Sequence, residues 1–196
     1  MSIEQTISGE KYDWTLTKKP ERPWIHQYHQ TLVDKLFMAR KGNPKTGQPP
    51  QVYYTFETAL ERIRKINEIT RGIPKITYLV GWQFDGHDSK YPDWSVVNPR
   101  LKRAQDATAL DSLRWIMDEA LKYNTTVSIH INMLDAYENC PLWQTYVDHD
   151  LIVQMDTGEF HNREYAIFVG ETAYTIDYAE EWDSGPVLKR LEQVLV

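Results

Sequence analysis

The residues best suited to chemistry follow a β-rich run at Lys75–Gln83. Asp85, His87 and Asp88 stand close together there, and Tyr91 and Trp94 come just after them. Carboxylates and imidazoles can orient sugar hydroxyls, while aromatic rings can cover the apolar face of a pyranose. An ordinary polar surface loop can share this composition. The position directly after a strand is what favours a binding site.

A second polar group lies on the predicted strand Thr125–Met133. Alternation places apolar side chains on one face and Ser128, His130 and Asn132 on the other. Helices covering the sheet need the apolar face, so we expect the polar face to point inward, with Asp135, Tyr137 and Glu138 just past the strand. A single histidine is often a satisfied core residue. A row of three polar groups is harder to bury, because each needs its own partner.

Hydrophobic periodicity predicts the elements that would position these groups. Residues 1–24 are expected to form a poorly ordered arm, and the apolar stretch Leu32–Met38 is left unassigned between helix and strand. The remaining predictions are helices at about 56–71, Ala107–Tyr123 and Pro141–Leu151, strands at Lys75–Gln83, Thr125–Met133 and Ala173–Tyr178, a hairpin at Gln154–Val169, and a last helix capped by Ser184.

Alternation of strands and helices predicts an α/β fold with a parallel sheet. About four βα units are expected, whereas a closed (β/α)₈ TIM-type barrel needs eight and typically about 250 residues. We therefore expect a partial barrel. Residues 1–50 would form an N-terminal arm and first strand region, and residues 51–196 the incomplete barrel domain. Open sheet edges would make self-association possible.

Composition and charge narrow the range of partners. The net charge of −6 argues against nucleic acid, and no apolar run approaches the roughly 20 residues of a membrane span. Cys140 is the lone cysteine, so no internal disulfide is expected. The N-terminus has no signal-peptide pattern, which indicates a cytoplasmic chain as it stands, although a secreted parent protein is compatible with the sequence.

Three stretches together resemble glycoside hydrolase family 101, the endo-α-N-acetylgalactosaminidases. They are YLVGWQFDGHDSKYPDW, KYNTTVSIHINMLDAYENCPLW and YTIDYAEEWDSG, within about Thr55–Val196. The resemblance implies a barrel that hydrolyses an O-linked α-N-acetylgalactosaminyl disaccharide with retention at the anomeric carbon. It implies sugar contacts from the first two motifs. The expected substrate-binding residues are His87, Asp88, His130, Asn132, Asp85, Gln83, Asp135, Tyr137 and Trp94.

The resemblance does not extend to the catalytic pair. A retaining mechanism needs two carboxylates, and those of the family belong to later segments than any in this sequence. None of the carboxylates near strand ends matches them, namely Asp85, Asp88, Asp135, Asp177 and Glu180. The catalytic residues therefore stay unassigned, and no cofactor is expected. We expect the N-terminal portion of a glycosidase that is inactive when isolated.

Two alternatives remain open at this point. One is a carbohydrate-binding or regulatory remnant that keeps the cleft without the chemistry. The other is a metal-dependent hydrolase that uses His87, Asp88 and His130, because these ligand types suit zinc.

Overall fold

A computed structural model describes residues 26–163 and 170–194 of the chain. The chain divides into two units, residues 1–31 and residues 32–196. The described part of the first unit contains a single 3₁₀ turn at Tyr28–Gln30. The predicted arm at residues 1–24 lies outside the described residues.

The second unit alternates strands and helices. In chain order it contains β1 (Leu32–Phe37), β2 (Ala39–Arg40), β3 (Gln51–Val52), α1 (Phe56–Ile69), β4 (Lys75–Val80), a 3₁₀ turn (Pro99–Leu101), α2 (Ala109–Leu121), β5 (Thr125–Ile129), β6 (Asp135–Tyr137), α3 (Trp143–Asp148), β7 (Ala173–Thr175), α4 (Tyr178–Ser184) and α5 (Pro186–Val194).

The central feature is a parallel sheet in the order β1-β4-β5. Leu32 pairs with Lys75 and Lys75 with Thr125, so the three strands begin level with one another. Helices α1 and α2 connect successive strands and cover one face of the sheet. On that face Leu36, Leu79 and Val127 join the main hydrophobic core, which also contains Phe56, Ile63, Leu113 and Ile116. The α/β partial barrel that the sequence predicts is confirmed.

Local signals explain where the two connecting helices begin and end. Thr55 and Thr58 form a capping box at the start of α1, and Thr108 and Asp111 form another at the start of α2. Helix α1 stops just before Gly72, whose φ of 82° is a left-handed conformation. Both helices are therefore slightly shorter than the periodicity predicts.

The segment after β5 departs from the predicted topology. Strand β7, predicted as a further strand at Ala173–Tyr178, pairs antiparallel with β6 in a separate two-stranded sheet. The parallel sheet thus has three strands in the described part of the chain, fewer than the about four units expected. A β-prone run predicts a strand but does not fix its direction. The hairpin turn at Asp156–Gly158 is confirmed by a bridge between Gln154 and Phe160, and its distal end at 164–169 is outside the described residues.

The C-terminal helices also differ from the prediction in one detail. Ser184 does not cap the last helix, because its hydroxyl donates to the carbonyl of Glu180 at the end of α4. Gly185, with φ of 88°, then reverses the chain, and Pro186 begins α5. Proline suits a first helical turn because its missing N–H would have no partner there.

Candidate functional site

The site begins where β2 meets the loop that follows β4. The amide of His87 donates to the carbonyl of Ala39 over 2.9 Å, and Arg40 and His87 form a β-bridge. Gly86 makes this approach possible: its φ is 128°, and a Cβ there would lie 2.6 Å from the Arg40 carbonyl carbon. Glycine at this position fixes His87 beside the end of the neighbouring strand.

The loop after β4 stores backbone strain around that histidine. Three residues without glycine's freedom have positive φ: Phe84 at 41°, Asp88 at 54° and Lys90 at 61°. Each such residue costs on the order of 1 kcal/mol or more, and such residues cluster at binding sites. Asp tolerates this region better than most residues because its short side chain can bond locally.

Two predicted motifs meet at His87. Its Nδ1 lies 3.0 Å from an Asp88 carboxylate oxygen, and its ring stacks on that of His130, with 5.8 Å between centroids and 21° between planes. His130 is fixed in turn, because its N–H donates to Leu79 and its carbonyl accepts from Trp82 Nε1 over 2.8 Å. His87, Asp88 and His130 therefore lie together beyond the ends of β4 and β5.

The polar row Ser128, His130 and Asn132, predicted along the third parallel strand, does not lie on one strand in the structure. Strand β5 ends at Ile129, so His130 and Asn132 stand beyond it instead of continuing its alternation. The chain turns because Asn132 bonds locally. Its Oδ1 accepts from the amide of Leu134 over 2.8 Å, and its Nδ2 donates to Asp135 Oδ2 over 2.6 Å.

Asp135 links this turn to the hairpin. Its other oxygen lies 3.2 Å from Arg163 Nε, and the residue is only 2% exposed. Burial raises the pKa of the Asp135 carboxyl, while Arg163 and Asn132 oppose that rise. Asp135 therefore holds Asn132 in place from below the surface.

A lysine that sequence reasoning missed borders the same site. Lys41 follows β2, and its ammonium group pairs with Glu171 and lies 4.8 Å from the centroid of the Tyr137 ring. Burial lowers the pKa of Lys41, and the contact with Glu171 opposes this. The sequence signal lies in its position: Lys41 comes shortly after β1, the first parallel strand, and barrel sites collect beyond such strands. The apolar stretch of β1 does not distinguish a helix from a strand, so this signal could not be used.

Several predicted sugar-binding residues do not reach the surface. Gln83, Trp94 and Tyr137 are at most 2% exposed. The Trp94 ring packs under the guanidinium of Arg190, 4.1 Å away, so it is not available to stack on a sugar. Asp85 is exposed beside the loop.

Burial affects the protonation of two groups near the stacked rings. Burial lowers the pKa of His130, and the neighbouring His87 and Lys35 lower it further, while Asp88 opposes them. The pKa of the Tyr137 hydroxyl is raised, first by burial and then by Asp88. The neutral forms of both groups are therefore favoured.

The described residues offer no metal-ligating set. No group of three His, Cys, Asp or Glu side chains within 26–163 and 170–194 converges as ligands would. His87 turns Nδ1 toward Asp88 and stacks its face on His130, so these three do not aim at a common point. The zinc hypothesis lacks a coordination geometry here. Within the same ranges, no helix is long and apolar enough to cross a bilayer.

Comparison with solved structures places the fold among glycosidases. NagBb, an α-N-acetylgalactosaminidase from Bifidobacterium bifidum, superposes with a TM-score of 0.61 at 14% identity, over 75% of this chain and 22% of its own. An α-amylase from Lactobacillus plantarum gives 0.51 at 14% identity, over 84% of this chain and 35% of its own. Trehalose-6-phosphate hydrolase from Bacillus licheniformis gives a TM-score of 0.51 at 11% identity, over 86% of this chain and 33% of its own.

At these identities the likeness concerns the fold, and the chain spans only part of each neighbour. These neighbours have TIM-barrel folds, so the three parallel strands correspond to part of a barrel. Sequence comparison is more specific. The family model for endo-α-N-acetylgalactosaminidase matches residues 49–195, which include both polar motifs of the site. This chain therefore belongs to glycoside hydrolase family 101, the endo-α-N-acetylgalactosaminidase family.

Proposed function

We propose that this chain is the sugar-holding N-terminal portion of a glycosidase acting on O-linked α-N-acetylgalactosaminyl glycans, and that it lacks the catalytic carboxylate pair. The observation that carries the proposal is the pairing of His87 with Asp88 and its stacking on His130 beyond β4 and β5. Carboxyl ends of parallel strands are where α/β barrels bind their substrates.

The accessible members of the cluster are proposed to contact the sugar. The side chains of His87 and Asp88 keep 29% and 23% of their exposure, enough to meet a hydroxyl group. His130 and Asn132 are partly exposed beside them. Buried Asp135 would act indirectly, by holding Asn132 through its carboxylate. Carboxylate, imidazole and amide groups together supply both donors and acceptors, as sugar hydroxyls require.

Three carboxylates around this cluster are already engaged in ion pairs. Asp88 pairs with His87, Asp135 with Arg163, and Glu171 with Lys41. A retaining glycosidase needs one carboxylate free to attack and a second free to donate a proton. Asp135 has the raised pKa of a general acid, but it is 2% exposed and bonded on both oxygens. These arrangements favour binding over bond cleavage.

The test is a calorimetric titration of the full chain with an aryl α-glycoside of galactosyl-N-acetylgalactosamine. We expect saturable binding that weakens at least about tenfold in His87→Ala and Asp88→Asn, since each removes a hydrogen bond to a hydroxyl. His149→Ala is the matched control, because His149 is exposed at the end of α3 and its ring contacts the Thr145 carbonyl of the same helix. Binding that survives both substitutions would reject the assigned site.

The same glycoside also tests the catalytic part of the proposal. Release of the aryl group should stay at the uncatalysed rate at every protein concentration. Hydrolysis that scales with protein would contradict the missing pair. A carbohydrate-binding remnant is the second candidate, favoured by the engaged carboxylates. It predicts that the complete natural gene product binds the glycoside and still fails to hydrolyse it.

A further inference from the structure

A small pocket beside His87 contains a positive charge, for which a neutral disaccharide has no matching group. It has a volume of about 170 Å³ and lies between the end of β1 and the loop that joins β2 to β3. Its polar lining comes from Arg40, Lys41, Asn43, Gln48 and His87, and Phe37 forms an apolar wall. No carboxylate is among the described lining residues.

The charges in this pocket do not cancel. Lys41 is already matched by Glu171. Arg40 has no acidic partner in the described ranges. Its contact is with the neutral amide of Gln48, whose Oε1 accepts from Nη1 over 2.6 Å. A guanidinium stays charged at any physiological pH, so among the described residues the pocket contains one positive charge without an acidic partner of its own.

The guanidinium also has donors left over. Arg40 Nε is buried without a hydrogen-bond partner, and Nη2 makes no hydrogen bond in the described part of the chain. Since Nη2 is not among the buried unpartnered atoms, it faces accessible space. Gln48 restrains the group from the opposite side. An oriented guanidinium edge of this kind matches the paired oxygens of a carboxylate or sulfate.

The size and walls of the pocket decide what part of a ligand it can take. Pockets that enclose a whole small molecule are typically about 300–1,000 Å³, so this one suits a substituent better than a complete sugar ring. The Phe37 ring lies 5.2 Å from that of His87 and 5.6 Å from that of Tyr53, and Phe37 remains 41% exposed. It can cover the sugar that carries the substituent.

We propose that Arg40 forms a subsite for an anionic substituent, a sulfate ester or a carboxylate, on the glycan held at His87 and Asp88. This inference rests on the proposed function, because the sugar site places the substituent. The backbone bridge between Arg40 and His87 keeps subsite and sugar site at a fixed separation. The chain would then prefer acidic glycans over their neutral counterparts.

The experiment compares three ligands by calorimetry on the full chain: the neutral aryl disaccharide, its monosulfated form and a form carrying a uronic acid. We expect one acidic form to bind on the order of tenfold more tightly, the effect of one charged hydrogen bond. Arg40→Gln should abolish the preference and leave neutral binding unchanged. Arg40→Lys should retain part of it. Lys45→Gln removes an exposed charge from the same loop and should change nothing.

The outcomes separate this inference from the proposed function. Equal affinity for all three ligands, or a preference that survives Arg40→Gln, overturns the subsite while the sugar site stands. If no glycoside binds, the proposed function fails, and inorganic sulfate then tests the pocket alone by amide chemical shifts near Gln48. A saturable shift that Arg40→Gln removes supports the subsite, and no shift refutes it.

Discussion

The buried ion pair between the last two helices provides the most quantitative prediction. Arg190 on α5 and Glu181 on α4 are 3% and 0% exposed, and their side chains pair directly. A carboxylate oxygen of Glu181 also accepts a hydrogen bond from the Tyr146 hydroxyl. Arg190 donates to the carbonyl of Pro92 over 2.7 Å and covers the Trp94 ring. The pair thereby connects α4 and α5 to the loop that follows β4.

Removing one partner should be much more costly than removing both. Arg190→Met keeps the length of the side chain but leaves the buried Glu181 carboxylate without its ion-pair partner. Breaking such a pair destabilises proteins by about 3–5 kcal/mol. Glu181→Leu should cost a similar amount by stranding the guanidinium. The double variant replaces both charges by apolar groups, and its loss should be clearly smaller than the sum of the two single losses.

The assay is urea unfolding followed by tryptophan fluorescence. Lys189→Met is the control, since this exposed neighbour on α5 should change the free energy of unfolding by no more than about 0.5 kcal/mol. Failure of Arg190→Met to fold, while Lys189→Met folds, would agree with the prediction. An Arg190→Met variant as stable as the control, or strictly additive losses in the double variant, would refute the reasoning.

Three further predictions follow from the site and the sheet. Because the pKa of His130 is lowered in the folded state, the unfolded chain binds its proton more tightly, and stability is lost as the pH falls below about 6.5. Urea titrations at about pH 7.5 and about pH 5.5 should therefore show a smaller loss of stability for His130→Gln than for the unchanged chain. Gly86→Ala should destabilise the chain more than Gly158→Ala. A Cβ added at Gly158 has no atom within 4 Å, so that variant loses only the left-handed backbone cost of about 1–2 kcal/mol. Val33 and Phe37 are 50% and 41% exposed on the sheet face opposite α1 and α2. Light scattering after size exclusion should therefore show a mass that rises with concentration, and Val33→Lys should lower this mass. A constant monomer mass would contradict this.

Much of the fold was predictable because its signals are local. Helical periodicity and capping residues define α1 and α2, and alternation with β-prone runs defines β4 and β5. Strand β1 was not predicted, because its apolar stretch is too short to distinguish the two regular structures. The antiparallel pairing of β7 depends on contacts with β6, far away in sequence, which no local pattern encodes.

The candidate site was predictable to a similar extent. His87 was proposed because it follows a recognisable strand, and His130 because it belongs to the polar face of the next one; parallel strands end at the same edge of a sheet. Trp94 was misjudged because composition alone cannot tell a stacking surface from a core residue. Arg40 and Lys41 were missed because the strand that carries them was unassigned. Recognising a site residue therefore depended on first recognising its strand.

The contact between Arg190 and Pro92 has a consequence for the order in which the molecule can be completed during synthesis. The two residues are separated by 98 positions in the chain. At a translation rate of about 5–20 residues per second, the segment around Pro92 exists for roughly 5–20 seconds before Arg190 is made. During that interval the β4 loop lacks one of its anchors and the Trp94 ring lacks its cover. Nascent chains paused within this window should therefore expose an aromatic surface that the finished protein hides.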